Sequence, residues 1–491
     1  MAETPPIQVL ATGIPNLDRV LGGGVPRQDV LLILGLAGTG KTTLVLQMLS
    51  NAARRGENVL YVSTVSEPPT KLFRHSRSFR FFDEALIGKR VFVLDAYPLI
   101  KQGLGAFGDA LVTAVKQFRA SVVAIDGLMS IHDLSPTVVD VRTFIYELGA
   151  TLATLNCTTL VTSSGIAPTA EQQFPELTMT DGILRLETYS VGLQTFRRLH
   201  VQKVRGASPL LGQHSFQIDL SGVTVYPRLE AVFSSRNLGL QMERVATGMP
   251  ELDALMSGGP RAGSVTLLAG TTGTGKTLAG LQFLMEGVRR GEKGLYVSFQ
   301  ETGQQLIDKA RLFNIDLASA VESRRVGIFH RTPVDLNLDQ ISWEMLQEVE
   351  RLGPTRLVFD NTIDIEQMLA AGRDARGYLT ALTGTLEEKG ITSVVVREVP
   401  GEVGAELDFS GSALAVLAEN LILMRWIEYR GNMYHILSVL KMRNSRFEPG
   451  LRQYIINDQG LRVLGASESA EGLLTGIARL RGGFFRPPSE R

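Results

Sequence analysis

Short runs of uninterrupted apolar residues recur along the chain and alternate with helical stretches. In the first half the runs fall at 30–34, 58–63, 90–95, 122–126 and 158–163. In the second half they fall at 265–269, 294–298, 325–330, 357–360 and 392–397. Apolar side chains fill successive positions, as in Val30-Leu31-Leu32-Ile33-Leu34, where a half-exposed strand would alternate. Such runs mark strands buried on both faces. A Gly-rich turn and a helical stretch at 42–54 follow the first run. Strands alternating with helices predict an α/β fold of mostly parallel sheets flanked by helices.

The pattern occurs twice because the sequence does. ATGIPNLDRVLGGG from Ala11 onward matches ATGMPELDALMSGG from Ala246 onward, and the match continues without a gap to Ser63 and Ser298. Asp126 and Asp360, and Lys203 and Lys441, hold corresponding places further along. The period is too long for a solenoid repeat, so each copy is expected to be a whole domain. The expected domains are 1–235 and 236–475, followed by a tail at 476–491.

Each half carries a phosphate-binding loop of the form GxxxxGK[ST]. The first comprises Gly35, Gly38, Thr39, Gly40, Lys41 and Thr42, with Thr43 next. The second comprises Gly270, Gly273, Thr274, Gly275, Lys276 and Thr277. Glycines let backbone N–H groups curl around phosphate oxygens, and the following helix directs its positive end at them. The lysine offsets β- and γ-phosphate charge, and the threonine hydroxyl ligates Mg²⁺. ATP and Mg²⁺ are therefore the expected cofactors. Asp126 and Asp360 each end an apolar run, where ligands bind in parallel sheets, and are the expected acidic partners of the metal.

Composition narrows the field. The chain has 491 residues, 44% hydrophobic and 20% charged, with zero net charge. Nucleic-acid binding rests on concentrated positive surface, so DNA is disfavoured as an obligatory partner. Cys157 is the single cysteine and is expected in the core; with no disulfide to make, a reducing, cytoplasmic compartment is expected. The N-terminus shows no basic segment followed by an apolar run, so no leader is expected, and no stretch reaches the length of a membrane span.

The lead-ins Thr12-Gly13-Ile14 with Leu17-Asp18, and Thr247-Gly248-Met249 with Leu252-Asp253, resemble those of the KaiC family within the RecA-like ATPases. So do the P-loops and the Lys-x-Arg pairs, Lys203 with Arg205 and Lys441 with Arg443. The resemblance spans nearly the whole chain. It implies two tandem RecA-like domains, a double-ring homohexamer with ATP between subunits, and protein signalling partners. It also implies that Lys203 and Arg205, and in the second ring Lys441 and Arg443, reach the γ-phosphate held by the neighbouring subunit.

Members of that family place two adjacent glutamates just after the second strand. Here the first half has Val65 and Ser66, neither of which is a base near neutral pH, with Glu67 displaced by one residue. The second half has Gln300, which can position a water, and Glu301, which can take a proton. Unequal sites are expected. The first binds ATP mainly as glue, through Lys41, and the second carries most of the turnover, through Lys276.

At the positions where the clock member of the family phosphorylates itself, this chain has Ala415 and Val416. Ser410 and Ser412 lie nearby and are the alternative acceptors for a self-kinase activity, in a stretch that equally suits an ordinary loop. Phe484-Phe485 in the basic tail is either a docking peptide or part of a disordered end. Three readings compete: a KaiC-like ATPase switch, a RecA-like DNA-dependent motor, and a scaffold glued by nucleotide.

Overall fold

The computed structural model describes residues 7–64, 69–129, 131, 138–164, 176–234, 239, 241–332, 337–363, 365–366, 374–399, 413–429, 431–464, 470–471 and 479–480. The chain divides into two compact units, Met1–Val232 and Phe233–Arg491.

In the first unit the strands are β1 (Val30–Leu34), β2 (Val59–Ser63), β3 (Val91–Asp95), β4 (Val122–Asp126) and β5 (Thr158–Ser163). They continue with β6 (Gly182–Val191), β7 (Gln194–Val204), β8 (Gln213–Asp219) and β9 (Gly222–Tyr226). The second unit repeats them as β10 (Val265–Gly270), β11 (Gly294–Ser298), β12 (Val326–His330), β13 (Arg356–Asp360) and β14 (Thr392–Glu398). Its last four are β15 (Asn420–Tyr429), β16 (Asn432–Met442), β17 (Arg452–Asn457) and β18 (Gly460–Val463).

The first sheet runs β3-β2-β4-β5-β1-β6-β7-β8-β9, and the second β12-β11-β13-β14-β10-β15-β16-β17-β18. The two orders are the same. In each, the first six strands are parallel and the last three add antiparallel. The parallel strands expected from sequence are all present, each within one residue of the expected ends. The antiparallel meander was legible only as one late strand, because its half-exposed segments lack a continuous apolar run.

The packing of β1 shows why such runs are needed. Leu31 and Ile33 face one core with Leu44, Val45, Met48 and Leu49, residues of helix α1 (Lys41–Arg54). Val30, Leu32 and Leu34 face a second core that includes Phe107, Leu111, Val141 and Ile145 from helices Leu104–Phe118 and Val138–Thr154. Successive side chains of a strand point to opposite faces, so a strand covered on both sides must be apolar at every position. Cys157 is buried in the second core, and burial pushes its thiol up to about 12, which makes it a packing residue.

The lead-in motifs are structural. Asp18 accepts a 2.8 Å hydrogen bond from the Thr12 amide, and Asp253 accepts from the Thr247 amide and hydroxyl at 2.9 and 2.7 Å. Leu17 and Leu252 anchor the same segments in the core. Among the described residues no helix is long and apolar enough to cross a membrane.

Candidate functional site

Each P-loop joins the central strand of its sheet to a helix, α1 in the first unit and α2 (Lys276–Arg289) in the second. The helices start at Gly40 and Gly275, which hold φ of 100° and 83°, and neither N-cap makes a side-chain cap. Glycine is required there because side-chain residues avoid positive φ. The first-turn amides are thus left to bind an anion. A Cβ added at Gly35 would lie 2.6 Å from both Leu186 O and Thr39 Oγ1, so the loop tolerates no side chain at its first position.

The lysines lie over their own loops. Lys41 Nζ donates to Gly35 O at 2.6 Å and Leu36 O at 3.0 Å, and Lys276 Nζ donates to Thr271 O at 2.7 Å. Burial holds both ammonium groups below their usual range. Asp126 opposes this for Lys41; Glu398 and then Asp360 oppose it for Lys276.

The strand-end aspartates meet the P-loop threonines. Thr42 Oγ1 donates to Asp126 Oδ2, and Thr277 Oγ1 to Asp360 Oδ2, each at 2.8 Å. Tyrosine hydroxyls support the same oxygens: Tyr61 at 2.8 Å and Tyr296 at 2.6 Å. Thr162 donates to the other oxygen of Asp126. Burial raises the Asp360 carboxyl above the usual range, against the pull of these hydrogen bonds. A hydroxyl beside one carboxylate is an all-oxygen set of low ligand count. It suits Mg²⁺, which keeps several waters and shares phosphate oxygens. Among the described residues no cluster of three or more His, Cys, Asp or Glu offers a protein-only metal cage.

Glu301 follows β11, and its amide bonds to Ser298 Oγ at 3.0 Å. One carboxylate oxygen is ion-paired with Lys309. The other is buried, with no hydrogen-bond partner among the described residues. The carboxylate lies near enough to Asp360 and Tyr296 that its charge raises both, after burial as the main cause. Gln300 beside it is exposed. Val65, Ser66 and Glu67 lie outside the described residues, as do Ser410, Ser412 and Phe484-Phe485.

The Lys-x-Arg pairs stand elsewhere. Lys203 donates to Thr180 O, and Arg205 is ion-paired with Asp181 at 2.9 Å. Lys441 donates to Ala415 O and Ala418 O at 2.8 and 2.7 Å, and Arg443 to Val416 O at 2.7 Å. Asp181 N bonds to Val30 O, and Glu419 N to Val265 O, so these residues sit where β1 and β10 begin. The P-loops sit where those strands end. At about 3.3 Å per residue the separation is on the order of 15 Å. Neither pair serves the P-loop of its own unit.

Sequence reasoning missed three features. A cavity of about 580 Å³ adjoins the first P-loop, lined by Gly38, Lys41, Asp126, Ser164 and Arg197 among others. That size suits a small-molecule site. Arg197 Nε is buried with no hydrogen-bond partner among the described residues, which suits an anion. Arg197 faces Thr188 across β6 and β7; the corresponding pair in the second unit is Trp426 and His435. The His435 ring lies tilted against Trp426 and stacks on Tyr454, at centroid distances of 3.6 and 4.8 Å, and Tyr454 OH donates to Thr274 O of the loop at 2.7 Å. Tyr61 and Tyr296 were the second omission, although they hold the same place in the repeat. Glu398 was the third, because the repeat gives it no acidic counterpart: Ser164 stands at the corresponding place.

Fold and site together define a tandem P-loop ATPase of the RecA-like class. Comparison with known proteins agrees with that class. A family model described as "ATPase: KaiC" matches residues 10–230 and 245–468. A "Circadian clock protein KaiC3" of Synechocystis sp. is 28% identical over 487 residues, covering 96% of this chain and 95% of the relative. A "Circadian clock oscillator protein KaiC" of Picosynechococcus sp. is 25% identical over 484 residues, covering 96% of this chain and 92% of the relative. One of Parathermosynechococcus lividus is 26% identical, covering 97% and 89%. The chain belongs to the KaiC ATPase family.

Proposed function

We propose that the chain is an ATP-driven switch that assembles as a homohexamer, with ATP and Mg²⁺ between subunits at both sites. The observation that carries this reading is the separation within each unit. Loop, lysine and acid stand at one end of the sheet, while the Lys-x-Arg pair stands at the other. A neighbouring subunit would bring its pair to this subunit's terminal phosphate, and loss of that phosphate would release the bond.

The two sites are assigned different work. At both, the loop amides and the lysine hold the phosphates. Mg²⁺ on the Thr42–Asp126 and Thr277–Asp360 pairs would offset the charge of the phosphate oxygens. At the second site Gln300 positions the attacking water, and the unpartnered oxygen of Glu301 takes its proton. At the first site Val65 and Ser66 offer no base, so bound ATP mainly joins subunits. The proposal extends to protein signalling partners and a cytoplasmic location. It does not extend to self-phosphorylation at Ala415 or Val416, which have no hydroxyl. A DNA-dependent motor is the weaker reading, since the chain has no net positive charge.

The test is an assembly measurement by light scattering with and without Mg-ATP. Hexamers that form with nucleotide and dissociate without it are expected. Monomers that bind ATP tightly would refute the reading.

A further inference from the structure

The second P-loop has an acidic neighbour, Glu398, whose place in the first unit is taken by Ser164. Glu398 ends β14 and lies in register with Gly270, the first residue of the loop. In the first unit the register Leu34 with Ser163 places Ser164 beside Gly35. One carboxylate oxygen of Glu398 accepts a hydrogen bond from Thr272 Oγ1, the third residue of the loop. The other lies 3.5 Å from Asn361 Nδ2, next to Asp360. Lys276 Nζ donates to Thr271 O, the residue before Thr272, at 2.7 Å. Glu398 therefore stands at the lysine end of the loop, where β- and γ-phosphates are held.

We infer that Glu398 sets the second site's preference between nucleoside triphosphate and diphosphate. This rests on the reading that the second P-loop holds Mg-ATP. A terminal phosphate entering beside Lys276 meets the like charge of Glu398 and competes with it for the same ammonium group. A diphosphate ends one phosphate earlier and feels less of that repulsion, because Coulomb energy falls with distance. Ser164 carries no charge, so the first site holds the triphosphate without this opposition. Glu398 is a specificity-determining residue that acts through charge.

The experiment uses full-length chains in which Lys41→Ala silences the first site. Dissociation constants for ADP and a non-hydrolysable ATP analogue, each with Mg²⁺, are measured by calorimetry, with and without Glu398→Gln. Glutamine keeps the size and the acceptor that Thr272 needs, so a merely structural role would leave the ratio of the two constants unchanged. The inference expects the analogue to tighten about tenfold and ADP by less than about threefold. In chains with Lys276→Ala, Ser164→Glu is expected to weaken the analogue more than ADP at the first site. An unchanged ratio in Glu398→Gln, with binding retained, overturns the inference and leaves the ATP-site reading standing. Failure of the Lys41→Ala chains to bind either nucleotide, at concentrations where light scattering shows them assembled, overturns both.

Discussion

Thr277 Oγ1 donates a 2.8 Å hydrogen bond to Asp360 Oδ2, and Thr42 makes the same bond to Asp126. The threonine–aspartate half of each site is therefore built alike. The difference lies after the second strand of each sheet. There Glu301 stands near Asp360, while the corresponding residue of the first unit is Ser66.

That difference predicts unequal losses. Lys276→Ala is expected to lower steady-state ATP turnover about tenfold or more, and Lys41→Ala less than about threefold. Both are measured as phosphate release at protein and nucleotide concentrations where light scattering shows the same assembly. A larger loss from Lys41→Ala would reverse the assignment.

The distance between Arg443 and its own P-loop predicts complementation. Arg443→Ala chains and Lys276→Ala chains should each be nearly inactive at the second site. Mixed before assembly, they form some interfaces that join a wild-type loop to a wild-type Arg443. Activity well above the mean of the two parents is expected in phosphate-release assays. Mixtures no more active than their parents would place Arg443 outside the neighbouring site.

Asp29 predicts a pH dependence of stability in the first unit. Burial, then the charge of Asp181, pushes its carboxyl up to about 6, against the pull of Arg205. A raised carboxyl favours the folded state when protonated. That contribution is full below the ordinary aspartate value of 3.8 and is lost as pH rises through about 6. Asp29→Asn should therefore stabilise the first unit at pH 7, by about 1 kcal/mol once solvent screening of this half-exposed group is allowed for. The gain should vanish as pH falls toward 4. Thermal melts across that range check it, and a gain that grows at low pH would contradict the assignment. The second unit has Ser264 at this place, and a serine hydroxyl does not titrate in this range.

The parallel strands β1–β5 and β10–β14, though not β6 and β15, which are also parallel to the central strand, were legible because burial on both faces demands an unbroken apolar run, a property of neighbouring residues. The P-loops were legible for the same reason: loop, lysine and threonine are contiguous. Cys157 was legible as core from the elements on either side of it. Of the meander β7–β9 and its counterpart β16–β18, only β7 and β16, which carry Lys203 and Lys441, were legible, since these strands leave part of one face to solvent.

What the sequence by itself determined is the repeat, the α/β class, the two phosphate loops and the acids that end their partner strands. Each is written in residues close together in the chain, and the repeat supplies an independent copy. Only the tertiary structure decided which distant residues share a site. It brought Tyr61 and Tyr296 onto the aspartates, Arg197 into the first cavity and Glu398 beside the second loop. It also set each Lys-x-Arg pair at the end of the sheet away from its own loop. Parallel pairing decides these neighbours, because strands far apart in sequence align their carboxyl ends only once the sheet has formed.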